Sequence, residues 1–358
     1  MQQQIRASGP AGGIASHAQY RCRRPVVSTR AAVAGGKVYI DPVKKECTAF
    51  APATVANLGP GFDWLGCAVE GEGDTVTARV LPDQPGKVVI DKIEGDNGRL
   101  SLNAADNCIG IAAIETLKLI GQPSCGVALT LHKGLPLGSG MGSSAASAAA
   151  AAWAVNGLFG SPVSKDELVL AGLASEAAVS GYHADNVGPS LLGGFVLVRS
   201  CDPLELVRLP FGGSDPLYFV LVNPLFEAPT KQMRAVLPRD VPFKSMIHNS
   251  TQGGALVAAI LQGNARLLGS ALDSDCIVEP VRAPLIPGMI AVKAAAKEAG
   301  AYGCTISGAG PTAVAVVSDA GVGARVADAM AAAFRSEGKL EINSKVVVRL
   351  DPEGAKFV

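Results

Sequence analysis

The sequence predicts an α+β protein of two domains, and three observations lead there. The chain has 358 residues, beyond the commonest single-domain size and enough for two. Strands and helices are mixed along it without strict β-α-β alternation. A Pro-rich, mixed stretch from Pro203 to Pro242 separates a β-rich front half from a more helical second half. The boundary is expected between 200 and 220, giving an amino-terminal domain over 46–210 and a carboxy-terminal domain over 215–358. A composition of 48% hydrophobic and 17% charged residues suits a globular chain, not a disordered one.

The elements follow in order. "TVTARVL" (75–81) alternates as a strand does, and "KVVIDKI" (87–93) follows a Pro-Gly turn. "NCIGIAAIETLKLIG" (107–121) carries apolar residues at helical spacing and ends on glycine. "GVALTLHKG" (126–134) alternates again and runs straight into "PLGSGMGSSAAS" (136–147), after which an Ala-rich helix extends to about Phe159. "SKDELVLAGLASEAAVSG" (164–181) opens with Ser164 and Glu167, the capping-box pattern of a second helix. "GGFVLVRS" (193–200) and "LYFVLVNP" (217–224) read as strands. Helices are expected at about 244–262, 264–272, 288–299 and 321–336. Between the last two lies "GCTISGAGPTAVAVVS" (303–318), a strand, a glycine turn and a strand, and "KVVVRL" closes the series.

The bulk numbers exclude several classes. Mean hydropathy is +0.30, yet the longest low-polarity run, Ala145–Val155, is mostly alanine, contains Ser147 and stops at Asn156. That is too short and too weakly apolar to span a bilayer. Formal net charge is zero, but the first 40 residues hold Arg6, Arg21, Arg23, Arg24, Arg30 and Lys37 and no acid. The remainder is mildly acidic, with 25 basic residues against 31 acidic ones, and offers no footprint for nucleic acid. The basic stretch carries serines and a threonine and lacks an apolar core segment, so residues 1–40 are read as a disordered organelle transit peptide, against the plainer reading of a disordered basic tail with a local role. Cleavage is expected between about 30 and 40. Eight scattered cysteines, none in C-x-x-C spacing, argue against a zinc or thioredoxin-like site and fit a reducing compartment.

The loop at 136–147 carries the most chemistry. A phosphate cradle needs backbone N–H groups turned inward, which glycine permits because a Cβ would block the approach. It also gains from a helix N-terminus, where unpaired N–H groups and the dipole favour anions. Gly138, Gly140 and Gly142 supply the loop, Ser143 and Ser144 stand at the cap and first turn, and alanine takes over at once. Loop and helix are fused, unlike a flexible linker. There is no lysine after Gly142, which removes the Walker A pattern, and Ser143 stands where G-x-G-x-x-G needs glycine. A phosphate loop and a plain strand–helix turn both remain open on these residues. A serine hydroxyl beside phosphates can ligate Mg²⁺, with a carboxylate completing the shell. Glu176, mid-helix in "LASEAAVSG", is the candidate, against the plainer reading of a solvent-facing helix glutamate.

Three further segments stand out. "PATVANLGPGFDWLG" (52–66) sets Asn57 and Asp63 in a tight Gly-Pro-Gly framework, functional or a structural Asx turn. "SGYHADNVGPSLLGGF" (180–195) packs His183, Asp185 and Asn186 into four residues. "ISGAGPTAV" (306–314) is a second glycine loop, able to cap a phosphate or only to turn the chain. Arg234 and Arg282 lie in largely apolar contexts, and their planar forks suit a carboxylate or phosphate.

Together these segments resemble the GHMP kinase superfamily: galacto-, homoserine, mevalonate and phosphomevalonate kinases. "PLGSGMGSSAAS" is similar to its ATP loop, with Met141 in place of the usual leucine, and "TISGAGPT" to its third motif. "PATVANLGPGFD" and "HADNVGP" point to the homoserine kinase branch, Val55 replacing the usual small hydroxyl residue. The match runs from about 46 to 358. The resemblance implies an amino-terminal domain like domain 2 of ribosomal protein S5 and a ferredoxin-like carboxy-terminal domain, with ATP in the cleft between them. It implies transfer of phosphate from ATP to L-homoserine in threonine biosynthesis, with Mg²⁺, and a homodimer. ATP would lie on Asn107, Pro136, Leu137, Gly138, Ser139, Gly140, Met141, Gly142, Ser143, Ser144, Ala145, Ala146 and Gly308. The metal pair would be Ser144 and Glu176. Arg234 and Arg282 would take the substrate carboxylate, Asn57 and Asp63 its ammonium, and His183, Asn186 and Thr230 the hydroxyl end. Asn186 is expected to orient the hydroxyl, with Asp185 as the rival base. The extension then reads as a plastid address, with the mitochondrion as alternative.

Overall fold

The computed structural model describes residues 41–358 apart from residue 180. The transit peptide expected over 1–40 lies outside the described residues. The front half runs β1 (Glu46–Ala56), β2 (Leu65–Val80), β3 (Val88–Glu94), α1 (Cys108–Ile120), β4 (Val127–His132), α2 (Ser143–Leu158) and α3 (Lys165–Val179). It continues with α4 (Val187–Leu192), β5 (Phe195–Cys201) and β6 (Leu204–Leu209). The second half runs β7 (Tyr218–Pro224), α5 (Thr230–Ala235), α6 (Phe243–Gln262), α7 (Ala265–Leu272), α8 (Glu279–Arg282) and α9 (Met289–Glu298). It closes with β8 (Gly303–Ile306), β9 (Ala313–Val317), α10 (Ala320–Ser336), β10 (Ile342–Arg349) and β11 (Lys356–Phe357).

Two sheets organise these elements. The first holds seven strands in the order β11-β1-β2-β4-β3, with β5 beside β2 and β6 beside β5. Among the described residues, β3 and β4 alone pair in parallel there. The second holds four antiparallel strands in the order β10-β7-β9-β8, the 4-1-3-2 arrangement expected of a ferredoxin-like unit. The α+β expectation is met, and the long helices fall where periodicity placed them. The structure adds what the sequence reading passed over: β1, the first ten residues of β2, β6, α4, α5, α8 and β11. Pro52–Ala56, read as part of a turn-rich loop, is extended and pairs with Gly66–Gly73 of β2 across a bulge. Chain punctuation by Pro and Gly hid a strand whose pairing is non-local.

Helix α2 explains its own composition. It packs on β1, β2, α1 and α3, and nearly every residue is buried. A helix enclosed on all sides must be apolar all round, and alanine allows the close approach. The Ser164 capping box of α3 forms as expected: Glu167 Oε2 accepts from Ser164 N at 3.1 Å, and Ser164 Oγ from Glu167 N at 3.3 Å. A separate apolar cluster joins the two sheets, with Val55, Leu58, Leu65 and Met141 packed beside Leu221, Leu256 and Val314. Burial of this seam fixes one half against the other. Among the described residues no helix is long and apolar enough to cross a membrane.

Candidate active site

The glycine loop lies between β4 and α2. Gly138, Gly140 and Gly142 all have positive φ, at 64°, 79° and 67°. Gly142 is the N-cap of α2, one residue earlier than the serines the sequence suggested. A Cβ there would stand 2.0 Å from Thr54 Oγ1, and one on Gly140 would stand 2.5 Å from Ser307 O. The first helical bond is Ala146 N to Gly142 O, at 2.8 Å. The N–H groups of Ser143, Ser144 and Ala145 precede it and open toward the loop. The second glycine loop holds the first one in place. Ser307 Oγ donates to Gly140 O at 2.7 Å, and Thr312 Oγ1 donates to Ser139 O at 2.7 Å.

Beneath the loop sits a buried network that the sequence reading missed. Lys133 Nζ donates to Asp74 Oδ2 at 2.5 Å, to Ser143 Oγ at 2.6 Å and to Ser147 Oγ at 3.0 Å. Asp74 Oδ1 accepts the N–H groups of Gly134 and Leu135, at 3.0 and 3.1 Å. One carboxylate therefore ties the entry of the loop to its exit. Both side chains are enclosed, at 1% and 0% exposure, where an unpaired charge is expensive. Neither residue stands in a motif, and they are 59 positions apart, so no local signal marks them.

Ser144 Oγ donates to Glu176 Oε1 at 2.8 Å, and Glu176 is buried. The hydroxyl and the carboxylate expected to form a metal pair are thus brought together at the first turn of α2. At the other end, Arg234 grips Asp63 with both Nη atoms, at 2.9 and 2.6 Å. Asn57 Oδ1 accepts from Asp63 N at 2.9 Å and its Nδ2 donates to Gly308 O at 2.8 Å. Both polar ends of Asn57 therefore serve the backbone. Arg282 is buried on α8, with Nε donating to Met233 O at 2.9 Å. Burial first, and then the Arg234 charge, lower its pKa to about 10, so it stays cationic near neutral pH.

His183 and Asp185 are both buried, 3.0 Å apart from Nδ1 to Oδ1. Burial depresses the His183 pKa, but the Asp185 hydrogen bond and charge, aided by Glu176, outweigh it and leave the pKa raised. Thr54 Oγ1 donates to Asn186 Oδ1 at 2.8 Å, and among the described residues nothing accepts from the amide N–H groups of Asn186. Thr54, on β1, is a further residue, after Asp74 and Lys133, that sequence reasoning missed. Ligand atoms of Asp63, His183 and Asp185 lie within 4.8 Å of one another. Asp63 is already held by Arg234, however, so a cation there would meet a guanidinium.

One cavity of about 450 Å³ joins the two ends. Leu137, Gly138, Ser139, Gly140, Gly142, Ser143 and Ser144 line it, with Asn107, Glu176 and Gly308. So do Asn57, Asp63, His183, Asp185, Asn186, Thr230, Arg234 and Arg282. Pro136 instead lines a neighbouring hollow. Met141, Ala145 and Ala146 do not line the cavity; their side chains are in the core, so only their backbone can serve a ligand. Asn107 caps α1 through Ile109 N at 3.1 Å and holds Ser101 O at 2.7 Å.

Comparison with known proteins fits this geometry. The family model for the GHMP kinases N terminal domain matches residues 107–194, and that for the GHMP kinases C terminal region matches residues 256–336. Fold and glycine loop are therefore those of the GHMP kinase class. The homoserine kinase of Arabidopsis thaliana is 57% identical over 340 residues, 95% of this chain and 90% of the relative. That of Chloroherpeton thalassium is 43% identical over 305 residues, 83% and 95% of the two chains. The crystal structure of homoserine kinase from Cytophaga hutchinsonii superposes with a TM-score of 0.83 at 39% identity, covering 90% of this chain and all of that one. The chain belongs to the homoserine kinases.

Proposed function

We propose that the protein transfers the γ-phosphoryl group of ATP to the side-chain hydroxyl of L-homoserine. The products are O-phospho-L-homoserine, ADP and a proton, and the step leads toward threonine. The observation that carries this is the single cavity with a phosphate cradle at one end and a carboxylate-and-arginine cluster at the other. Phosphoryl transfer needs positioning and charge neutralisation more than covalent work. The N–H groups of Ser143–Ala145 and the α2 dipole hold the phosphates. Arg282 and Arg234 take the carboxylate of homoserine. Asp63 keeps lone pairs beyond its Arg234 bonds for the ammonium, and Asn57 acts by fixing Asp63. Thr230 and His183 bound the hydroxyl end, and Asn186 donates to the hydroxyl oxygen through its amide.

Ser144 and Glu176 suit Mg²⁺. A buried carboxylate oxygen within 2.8 Å of a hydroxyl is a hard-oxygen donor set, and Glu176 gains a countercharge. When bound, the ion neutralises phosphate charge. A coupled ADP-release assay with L-homoserine, mevalonate and shikimate tests the function. ADP should appear with homoserine alone, and no rate with homoserine would refute the reading. We also assign residues 1–40 to plastid import, supported by their basic, acid-free composition. A fluorescent fusion of that segment should enter plastids; cytosolic signal would overturn the assignment, and mitochondrial import would replace it.

A further inference from the structure

We propose that Phe62 is a positioning residue for the substrate carboxylate, its ring carrying the guanidinium groups of both Arg234 and Arg282. The proposal rests on the reading above, in which these arginines take that carboxylate. Two cations side by side in a half-closed cavity repel, and something must hold them together before an anion arrives. Asp63 hydrogen-bonds Arg234, through the two-pronged ion pair at 2.6 and 2.9 Å, and at Arg282 its charge acts only through space, as do those of Asp185 and Asp275. Among the described residues Arg282 has no carboxylate in hydrogen-bond contact; its bonds go to the carbonyl oxygens of Met233 at 2.9 Å and Gly308 at 3.3 Å. The Phe62 ring supplies the shared support. Its centroid lies 4.9 Å from Arg282 Cζ and 5.4 Å from Arg234 Cζ, inside the range where the ring quadrupole attracts a cation.

The geometry of that attraction matters. A guanidinium held over an aromatic face keeps the N–H groups at its edge for a second partner, whereas one held by a carboxylate spends them. The ring is itself fixed by backbone. It follows the short helical turn Gly59–Gly61, where a Cβ on Gly59 would stand 2.0 Å from Leu272 O. The next residue, Asp63, has φ of 64° and an N–H held by Asn57. Ring and carboxylate thus come from one rigid dipeptide and set two arginines at once. Phe62 itself does not line the cavity, so it acts through the arginines.

The test compares Phe62→Leu with Phe62→Tyr, on L-homoserine and on its decarboxylated analogue, 3-aminopropan-1-ol. Leucine keeps an apolar filler and removes the π face; tyrosine keeps the face. Phe62→Leu should raise KM for homoserine about tenfold, leave KM for ATP within twofold, and cut the preference for homoserine over the analogue about tenfold. Phe62→Tyr should behave as wild type. An unchanged preference in Phe62→Leu would overturn the proposal, as would an equal loss for both acceptors with a lowered melting temperature, the mark of packing alone. Wild-type protein inactive on homoserine would instead refute the proposed function, so the two failures are distinct.

Discussion

At the scale of single residues, the question is which group handles the hydroxyl proton. Asp185 is buried and already bonded to His183, and Asn186 offers donors but no base. We therefore expect Asn186→Ala to lower kcat about a hundredfold and Asp185→Asn to lower it less in single-turnover measurements. A loss of about three orders or more in Asp185→Asn, with Asn186→Ala still active, would make Asp185 the base. His183 gives a pH-dependent prediction. Its folded pKa is raised, so its stabilisation is complete below the unfolded value of about 6.5 and is lost as pH rises through the folded one. The urea midpoint of wild type should exceed that of His183→Gln most clearly at pH 5.5–6, and the gap should narrow above the folded pKa. The cluster of His183, Asp185 and Asn186 was legible in sequence because three polar groups share four positions. Thr54 and Phe62 were not, since each gains meaning only from partners more than 100 residues away.

At the scale of elements, the loop and α2 act as one piece. Gly142→Ala would force a Cβ into a left-handed φ and onto Thr54 Oγ1 at 2.0 Å. Because Thr54 also holds Asn186, the shift reaches both ends of the cavity. We expect kcat/KM for ATP to fall at least about tenfold, with a loss of roughly 1–3 kcal/mol in stability by chemical denaturation. The buried pair under the loop makes a sharper case. Removing one partner strands a charge at essentially zero exposure, so Lys133→Met should cost about 3–5 kcal/mol. Lys133→Met combined with Asp74→Asn should cost clearly less than the two single changes summed; additive losses would show that the pair is not coupled. The loop was legible in the sequence because glycine, serine and alanine are local signals. The support beneath it was not, because a buried ion pair has no periodicity.

At the scale of the whole molecule, the site exists only where two sheets meet. The expected α+β class was legible, since helical spacing and the strand–glycine turn–strand segment are local, whereas the ferredoxin-like second unit was implied only by the resemblance to the GHMP kinases. The return of β11 to pair with β1 was not legible, and neither was the stitching between the halves. Asn57 reaches Gly308 across 251 positions, and Thr312 reaches Ser139 across 173. Thr312 is the best place to measure what this stitching does. Its side chain is fully buried, its Oγ1 donates to Ser139 O at 2.7 Å and accepts from Asn223 Nδ2 at 2.9 Å, and its own N–H adds a bond to Ser139 O at 3.2 Å. Thr312→Val keeps the shape and deletes the hydroxyl, so Asn223 Nδ2 loses its 2.9 Å acceptor and Ser139 O keeps only its longer bonds, from the Thr312 N–H at 3.2 Å and Asn223 Nδ2 at 3.5 Å. The stability cost should be about 1–3 kcal/mol. If the second sheet positions the ATP loop through this bond, KM for ATP should rise severalfold while KM for homoserine stays put, and Thr312→Ser should restore both. A stability loss with an unchanged KM for ATP would mean that the Thr312 hydroxyl is not what positions the loop, the Ser307 bond to Gly140 O and the Thr312 N–H bond to Ser139 O being enough to hold it.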